Sequence, residues 1–104
     1  MSKDYKDVNG KLPLHLIDPV ALRTLGEVLQ YGLNKYGIEN STSYQYGEME
    51  TYIAALLRHL LAYQEGETID PESKLPHLHH LFFNAYVLIY IMKRDNEGVI
   101  NQWG

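Results

Sequence analysis

Between residues 58 and 84 the sequence concentrates side chains that ligate metals, move protons or bind phosphate. Arg58-His59 comes first, then Glu67-x-x-Asp70-x-Glu72, then His77-x-x-His80-x-x-x-Asn84. Carboxylates such as Glu67, Asp70 and Glu72 are hard oxygen donors that suit Mg²⁺ or Mn²⁺. Imidazoles such as His59, His77 and His80 exchange protons near pH 7, contact phosphate, or ligate a transition metal. On a helix, offsets of three and seven place His77, His80 and Asn84 on one face. A solvated acidic loop and histidines satisfied within a helix are the plainer readings of the same residues.

A second group lies upstream. Glu27, Tyr31 and Asn34 recur at offsets of four and seven and are followed by Lys35 and Tyr36. A carboxylate in line with a ring and a cation could meet a metal-phosphate unit and a base; an ordinary solvated helix face is the alternative. Lys11, after Gly10, could reach phosphate from the N-terminal segment. The sequence carries no glycine-rich phosphate loop, Ser-His-Asp set or zinc signature.

Three helices must position these groups. Asp18-Pro19 supplies a cap and a favoured first residue, and apolar residues at helical spacing then predict a helix over 19–36, stopped by Gly37. A polar loop over 38–46 offers Tyr44 and Tyr46 as rings on which a base could stack. A second helix is predicted over 47–64, with Gly66 as its stop. The acidic connection 65–76 holds a short turn that Asp70 would cap. A third helix is predicted over 77–93, with Leu81, Phe82, Ala85, Leu88, Ile89 and Met92 facing inward. The short connection makes the last two helices antiparallel and draws His59, the acidic loop, His77 and His80 to one end. The predicted fold is therefore all-α, a small bundle of three main helices forming one domain. An extended arm (1–17), its apolar part against the body, precedes a helical body (18–94) and a polar tail (95–104).

Composition narrows the function. Hydrophobic residues make up 45% and charged residues 21%, which fits neither a disordered tail nor a membrane protein. Nine Lys and Arg against thirteen Asp and Glu give a net charge of −4, which disfavours nucleic acid polymers as partners. The absence of cysteine removes thiol catalysis and disulfides. Without a leader or a long apolar run, a cytoplasmic protein with no membrane partner is expected. Nine Tyr against two Phe and one Trp suggest a wet pocket or interface. A core this small favours a homo-oligomer, a dimer or a dimer of dimers.

Five segments in order carry a family resemblance: Gly10-Lys-Leu-Pro-Leu-His-Leu-Ile17, Glu27-Val-Leu-x-Tyr-Gly-Leu-x-Lys-Tyr-Gly37, Ala55-Leu-Leu-Arg-His-Leu-Leu-Ala62, Gly66-Glu-x-x-Asp-x-Glu-Ser73 and Leu75-Pro-His-Leu-His-His80. Together they resemble the phage domain named after dATP/dGTP diphosphohydrolases (N-terminal type), itself similar to MazG-like all-α nucleoside triphosphate pyrophosphohydrolases. The resemblance covers about residues 6 to 90. It implies an oligomeric bundle in the host cytoplasm that binds a deoxynucleotide through Mg²⁺ or Mn²⁺ and hydrolyses triphosphates to monophosphate and pyrophosphate.

By that resemblance Glu67 and Asp70 match a metal-holding Glu-x-x-Asp spacing, with Glu27 or Glu72 assisting. Lys35 and Arg58, with Lys11, Tyr31, Tyr36 and Asn84, would hold the nucleotide, and His59, His77 or His80 would position water or protonate the leaving group. Three departures matter. Ser41 follows Asn40 where the family has Trp after Asn, Ala54 stands where an acidic residue is common, and only Glu27, Glu48 and Glu50 represent a dense glutamate cluster. A protein that binds and sequesters a nucleotide signal, as an anti-defence sponge, is therefore the alternative function. A structural bundle without ligand ranks third.

Overall fold

The computed structural model describes residues 10–96; the start of the predicted arm and nearly all of the predicted tail lie outside them. Three helices dominate: α1 (Val20–Tyr36), α2 (Met49–Gln64) and α3 (His77–Asp95). No strand occurs among the described residues, so the fold is all-α. Nor is any helix there long and apolar enough to cross a membrane. Each main boundary has a local cause. Asp18 Oδ1 accepts the Val20 N–H at 2.8 Å, which opens α1 one residue beyond Pro19. Gly37 ends it at φ 91°, and Gly66 turns the chain after α2 at φ 102°. Glu48, in extended conformation, precedes α2, so that helix starts two residues later than its sequence predicts.

α3 is central, packed against both α1 and α2. Its pairing with α2 is antiparallel. Arg94, near the end of α3, donates from Nη1 to the Gln45 and Gly47 carbonyls, both at 3.0 Å, just before α2 begins. At the opposite end His77 meets His59.

Two expectations are corrected, for the arm and for the inward face of α3, and the loop gains detail. The apolar part of the arm does not lie against the body. Leu14–Leu16 curl into a 3₁₀ turn with local backbone bonds, and Leu12, Leu14, Leu16 and Ile17 are exposed. The 38–46 loop contains two further 3₁₀ turns, Ile38–Asn40 and Ser43–Tyr46. On α3, Phe82, Ile89 and Met92 face outward, and the buried line is His77, His80, Asn84, Val87 and Ile91. Polar groups take the inward face because their hydrogen bonds are met there: His77 and His80 bond to the α2 end and the connecting loop, and Asn84 donates to the His80 carbonyl one turn back, which removes the usual cost of burying them. Of the two loop rings that could stack on a base, Tyr46 is 81% exposed.

Candidate functional site

The connection after α2 builds the site. Ile69 and Pro76 form an antiparallel bridge, with Asp70 N donating to Leu75 O at 2.8 Å and His77 N to Thr68 O at 2.9 Å. Lys74, at φ 66°, makes the reversal. Asp70 fixes the tip as expected: its Oδ1 accepts the Glu72 N–H (3.0 Å) and its Oδ2 the Ser73 hydroxyl (3.2 Å). The reversal returns Ser73 to α3, where its Oγ lies 2.6 Å from His80 Nε2. The sequence alone assigns Ser73 no site role. Its spacing from Asp70 signals a capped turn, and nothing local signals the histidine.

Three imidazoles meet here. His59 stacks on His80, with centroids 4.6 Å apart and 13° between planes, and its Nδ1 lies 2.8 Å from His77 Nδ1. His77 Nε2 donates to Glu67 Oε1 at 2.7 Å. Because a carboxylate only accepts, that contact places the His77 proton on Nε2 and leaves its Nδ1 to accept from His59. Burial, helped by the neighbouring His80 and His77 rings, pushes His59 down to about 4. Burial also lowers His80, against the opposing pull of Asp70. Both are therefore neutral bases at pH 7.

The His59 shift has a stability consequence. Unfolded His59 takes up a proton below its ordinary value of 6.5, whereas folded His59 resists to about 4. Its contribution to stability is thus full above about 6.5 and falls as acid is added through that window. In chelator, the melting temperature should drop between pH 7 and pH 5, and H59Q should flatten that slope; an equal slope in the variant would contradict it.

Tyr31, Lys35, Arg58, His59, Asp70, Glu72, His77 and His80 line one cavity of about 320 Å³. The Tyr31 hydroxyl donates to Glu72 Oε2 at 2.6 Å, and Lys35 pairs with the same oxygen. These bonds hold Glu72 below the usual carboxylate range and raise Lys35. Arg58, by contrast, has no ion-pair partner among the described residues.

A second cavity, of about 270 Å³, adjoins the first and shares Tyr31, His59 and His80 with it. Leu29, Tyr36, Tyr44, Tyr52 and Phe83 make its walls largely apolar and aromatic, and Asn84 lines it. Tyr44 is held by a 2.8 Å hydroxyl contact to Tyr86, whose phenol is pushed by burial to about 12.

Most of the sequence-derived candidates thus come together. Lys11, exposed on the N-terminal segment, lines neither cavity. Glu27 stands beside His79 Nδ1 at 3.1 Å, outside both cavities. Asn34 accepts from Gln30 on the exposed face of α1. Ala54, the departure from the family pattern, is exposed and also lines neither cavity.

The four carboxylates expected around Mg²⁺ or Mn²⁺ do not converge. Glu67 serves His77, Glu72 serves Lys35 and Tyr31, and Glu27 faces His79. Among the described residues, the group with metal-ligand spacing is His59, Asp70 and His77, whose donor atoms all lie within 4.8 Å of one another. That mixed donor set does not fit a hard, all-oxygen site.

A model of the family described as dATP/dGTP diphosphohydrolase, N-terminal, matches residues 1–99. A dATP/dGTP diphosphohydrolase of Salmonella phage PMBT28 is 29% identical over 94 residues, spanning 90% of this chain. This chain covers 31% of that relative's length. No solved structure matches the chain. With the family model spanning almost every residue, the chain belongs to the dATP/dGTP diphosphohydrolase, N-terminal family.

Proposed function

We propose that the two adjoining cavities together hold a purine deoxynucleoside triphosphate and that the chain hydrolyses it to monophosphate and pyrophosphate. The observation that carries this reading is the contiguity of an aromatic, largely apolar cavity with a cationic, histidine-lined one through Tyr31, His59 and His80. A base and sugar suit the first, where ring faces offer stacking worth about 1–3 kcal/mol per base. Phosphates suit the second. Arg58 is uncommitted there, and Lys35 can exchange Glu72 for a phosphate oxygen. The relative's name, dATP/dGTP diphosphohydrolase, supplies the purine and the deoxyribose.

For the chemistry, a water in line with the α-phosphorus forms the new P–O bond as the α–β bridging bond breaks. Neutral His59 takes the water's proton, Arg58 and Lys35 offset the charge that builds on the phosphate oxygens, and pyrophosphate leaves. His80, stacked beneath His59 and bonded to Ser73, holds that ring in place.

Incubation with each dNTP, alone and with Mg²⁺, Mn²⁺ or Zn²⁺, should yield dGMP or dAMP and pyrophosphate. Tight binding with intact nucleotide recovered after heat denaturation would replace hydrolysis by sequestration. Neither binding nor product would refute the site.

Gly32 gives a separate check of the base cavity. It lines that cavity, and no heavy atom lies within 4 Å of where a Cβ would stand. G32L should fill the space, weaken dGTP binding at least about tenfold, and leave pyrophosphate binding intact. Removing a helix-interior glycine favours the helix by up to about 1 kcal/mol, so melting should not fall. Undiminished dGTP affinity in G32L, measured calorimetrically, would move the base elsewhere.

A further inference from the structure

Where α2, the connecting loop and the first turn of α3 meet, two imidazoles and one carboxylate bring their donor atoms within 4.8 Å of one another. The geometry points to a binding site for one first-row transition-metal dication of the Zn²⁺ class, ligated by His59, Asp70 and His77. Two imidazoles with a carboxylate form a borderline donor set found around zinc and non-haem iron, whereas Mg²⁺ prefers oxygen and keeps its waters.

A second observation points the same way. His77 Nε2 is committed to Glu67 Oε1 at 2.7 Å, so the lone pair of His77 Nδ1 faces the cluster. Metal-bound histidines are held in this way, with the remote ring N–H on a carboxylate that fixes the tautomer and raises ligand basicity. His77 is buried, and Asp70 is anchored by the Glu72 N–H and the Ser73 hydroxyl. Both are thus positioned before any ion arrives.

The 2.8 Å contact between the two Nδ1 atoms is close to what an ion requires. Two nitrogens bonded at about 2.0–2.1 Å stand about 3.3 Å apart at a tetrahedral angle. The His59 ring need only open by a few tenths of an ångström and carry its proton on Nε2. Asp70 approaches from the loop, and all three ligands line the polar cavity together with Arg58 and Lys35. The site is tested apart from the nucleotide reading, because the metal alone is the probe; an ion on His59 Nδ1 takes up the lone pair of that ring, so the base role given to His59 belongs to the metal-free chain.

The test uses the full chain, stripped by chelator and titrated with Co²⁺ while the visible d–d absorption is followed. One Co²⁺ per chain is expected, displaced by one equivalent of Zn²⁺ and retained in millimolar Mg²⁺. H59Q and D70N should each abolish the band with helical circular dichroism intact; His59 is only half-buried, so H59Q is the variant expected to fold normally. E67Q should weaken Co²⁺ about 10–100-fold through His77, and H79Q, outside the cluster, should change nothing. No bound Co²⁺ on the folded wild type, an unchanged band in folded H59Q, or displacement by Mg²⁺ at equal concentration would each overturn the site.

Discussion

Replacing Lys35 by Ala should weaken binding of a purine deoxynucleoside triphosphate by about 100-fold, the largest loss expected from any single cationic change. Two effects add. A charge-assisted bond to phosphate disappears, by itself a loss of at least about tenfold. Glu72, now held by Lys35 and the Tyr31 hydroxyl, keeps its negative charge in the cavity with its cation gone. The order of effects is therefore specific. Arg58→Ala removes a cation without exposing an anion and should cost about tenfold, with melting unchanged because Arg58 bonds to no described residue. K35A/E72Q should recover part of the loss, and E72Q alone should bind at least as tightly as wild type. If Glu72 instead ligated an essential metal, E72Q would weaken binding. Calorimetry on the four proteins separates the two roles.

The second large effect concerns assembly. Val28, Val87 and Ile91 are the buried hydrophobic residues among those described, a thin core for a chain of 104 residues. Meanwhile Ile53, Leu57 and Leu61 on α2 and Leu78, Phe82, Ile89 and Met92 on α3 are exposed. At about 100° per residue, both stripes lie roughly a quarter turn from the α2–α3 contact, on the same side of the antiparallel pair. α1 lies on the other side, where His79 meets Glu27. A second copy applied through a two-fold axis would cover this face with its own, making a four-helix layer and leaving both cavities free. Light scattering should then give twice the 12.0 kDa chain mass at micromolar concentration. L57E/F82E should run as a monomer, with melting lowered by about 4–8 °C for each kcal/mol of interface lost. A wild type that stays monomeric would contradict the assembly.

Helix boundaries were legible because their causes are local: Asp18-Pro19, Gly37, Gly66 and Pro76 each act within a turn. The meeting of His59, His77 and His80 was legible too, since a short connection between two helices leaves little choice but an antiparallel return. The inward face of α3 was legible only in part, since Leu81, Ala85 and Leu88 are half-buried but Phe82, Ile89 and Met92 are exposed. Residues 82, 89 and 92 and residues 77, 80, 84, 87 and 91 both satisfy helical periodicity, and apolarity favoured the wrong stripe. Only the partners of His77 and His80, on a loop folded back by Lys74, decide the matter. The sequence pattern places Glu72 beside Asp70 as a metal ligand, whereas in the structure its cation comes from α1, 37 residues away. The ring contacts of Tyr44 with Phe83, Tyr86 and Tyr90 are also long-range in sequence, and they fix a wall of the aromatic cavity that no local pattern displays.

The measurement that bears most directly on nucleotide binding is a calorimetric titration of the wild-type chain with the α,β-methylene analogue of dGTP, which cannot be cleaved at the proposed bond. One analogue per chain at micromolar or tighter affinity, competed by dGTP and dATP, is the result expected if the two cavities form one nucleotide site. No heat and no rise in melting temperature with the analogue at millimolar concentration would contradict it.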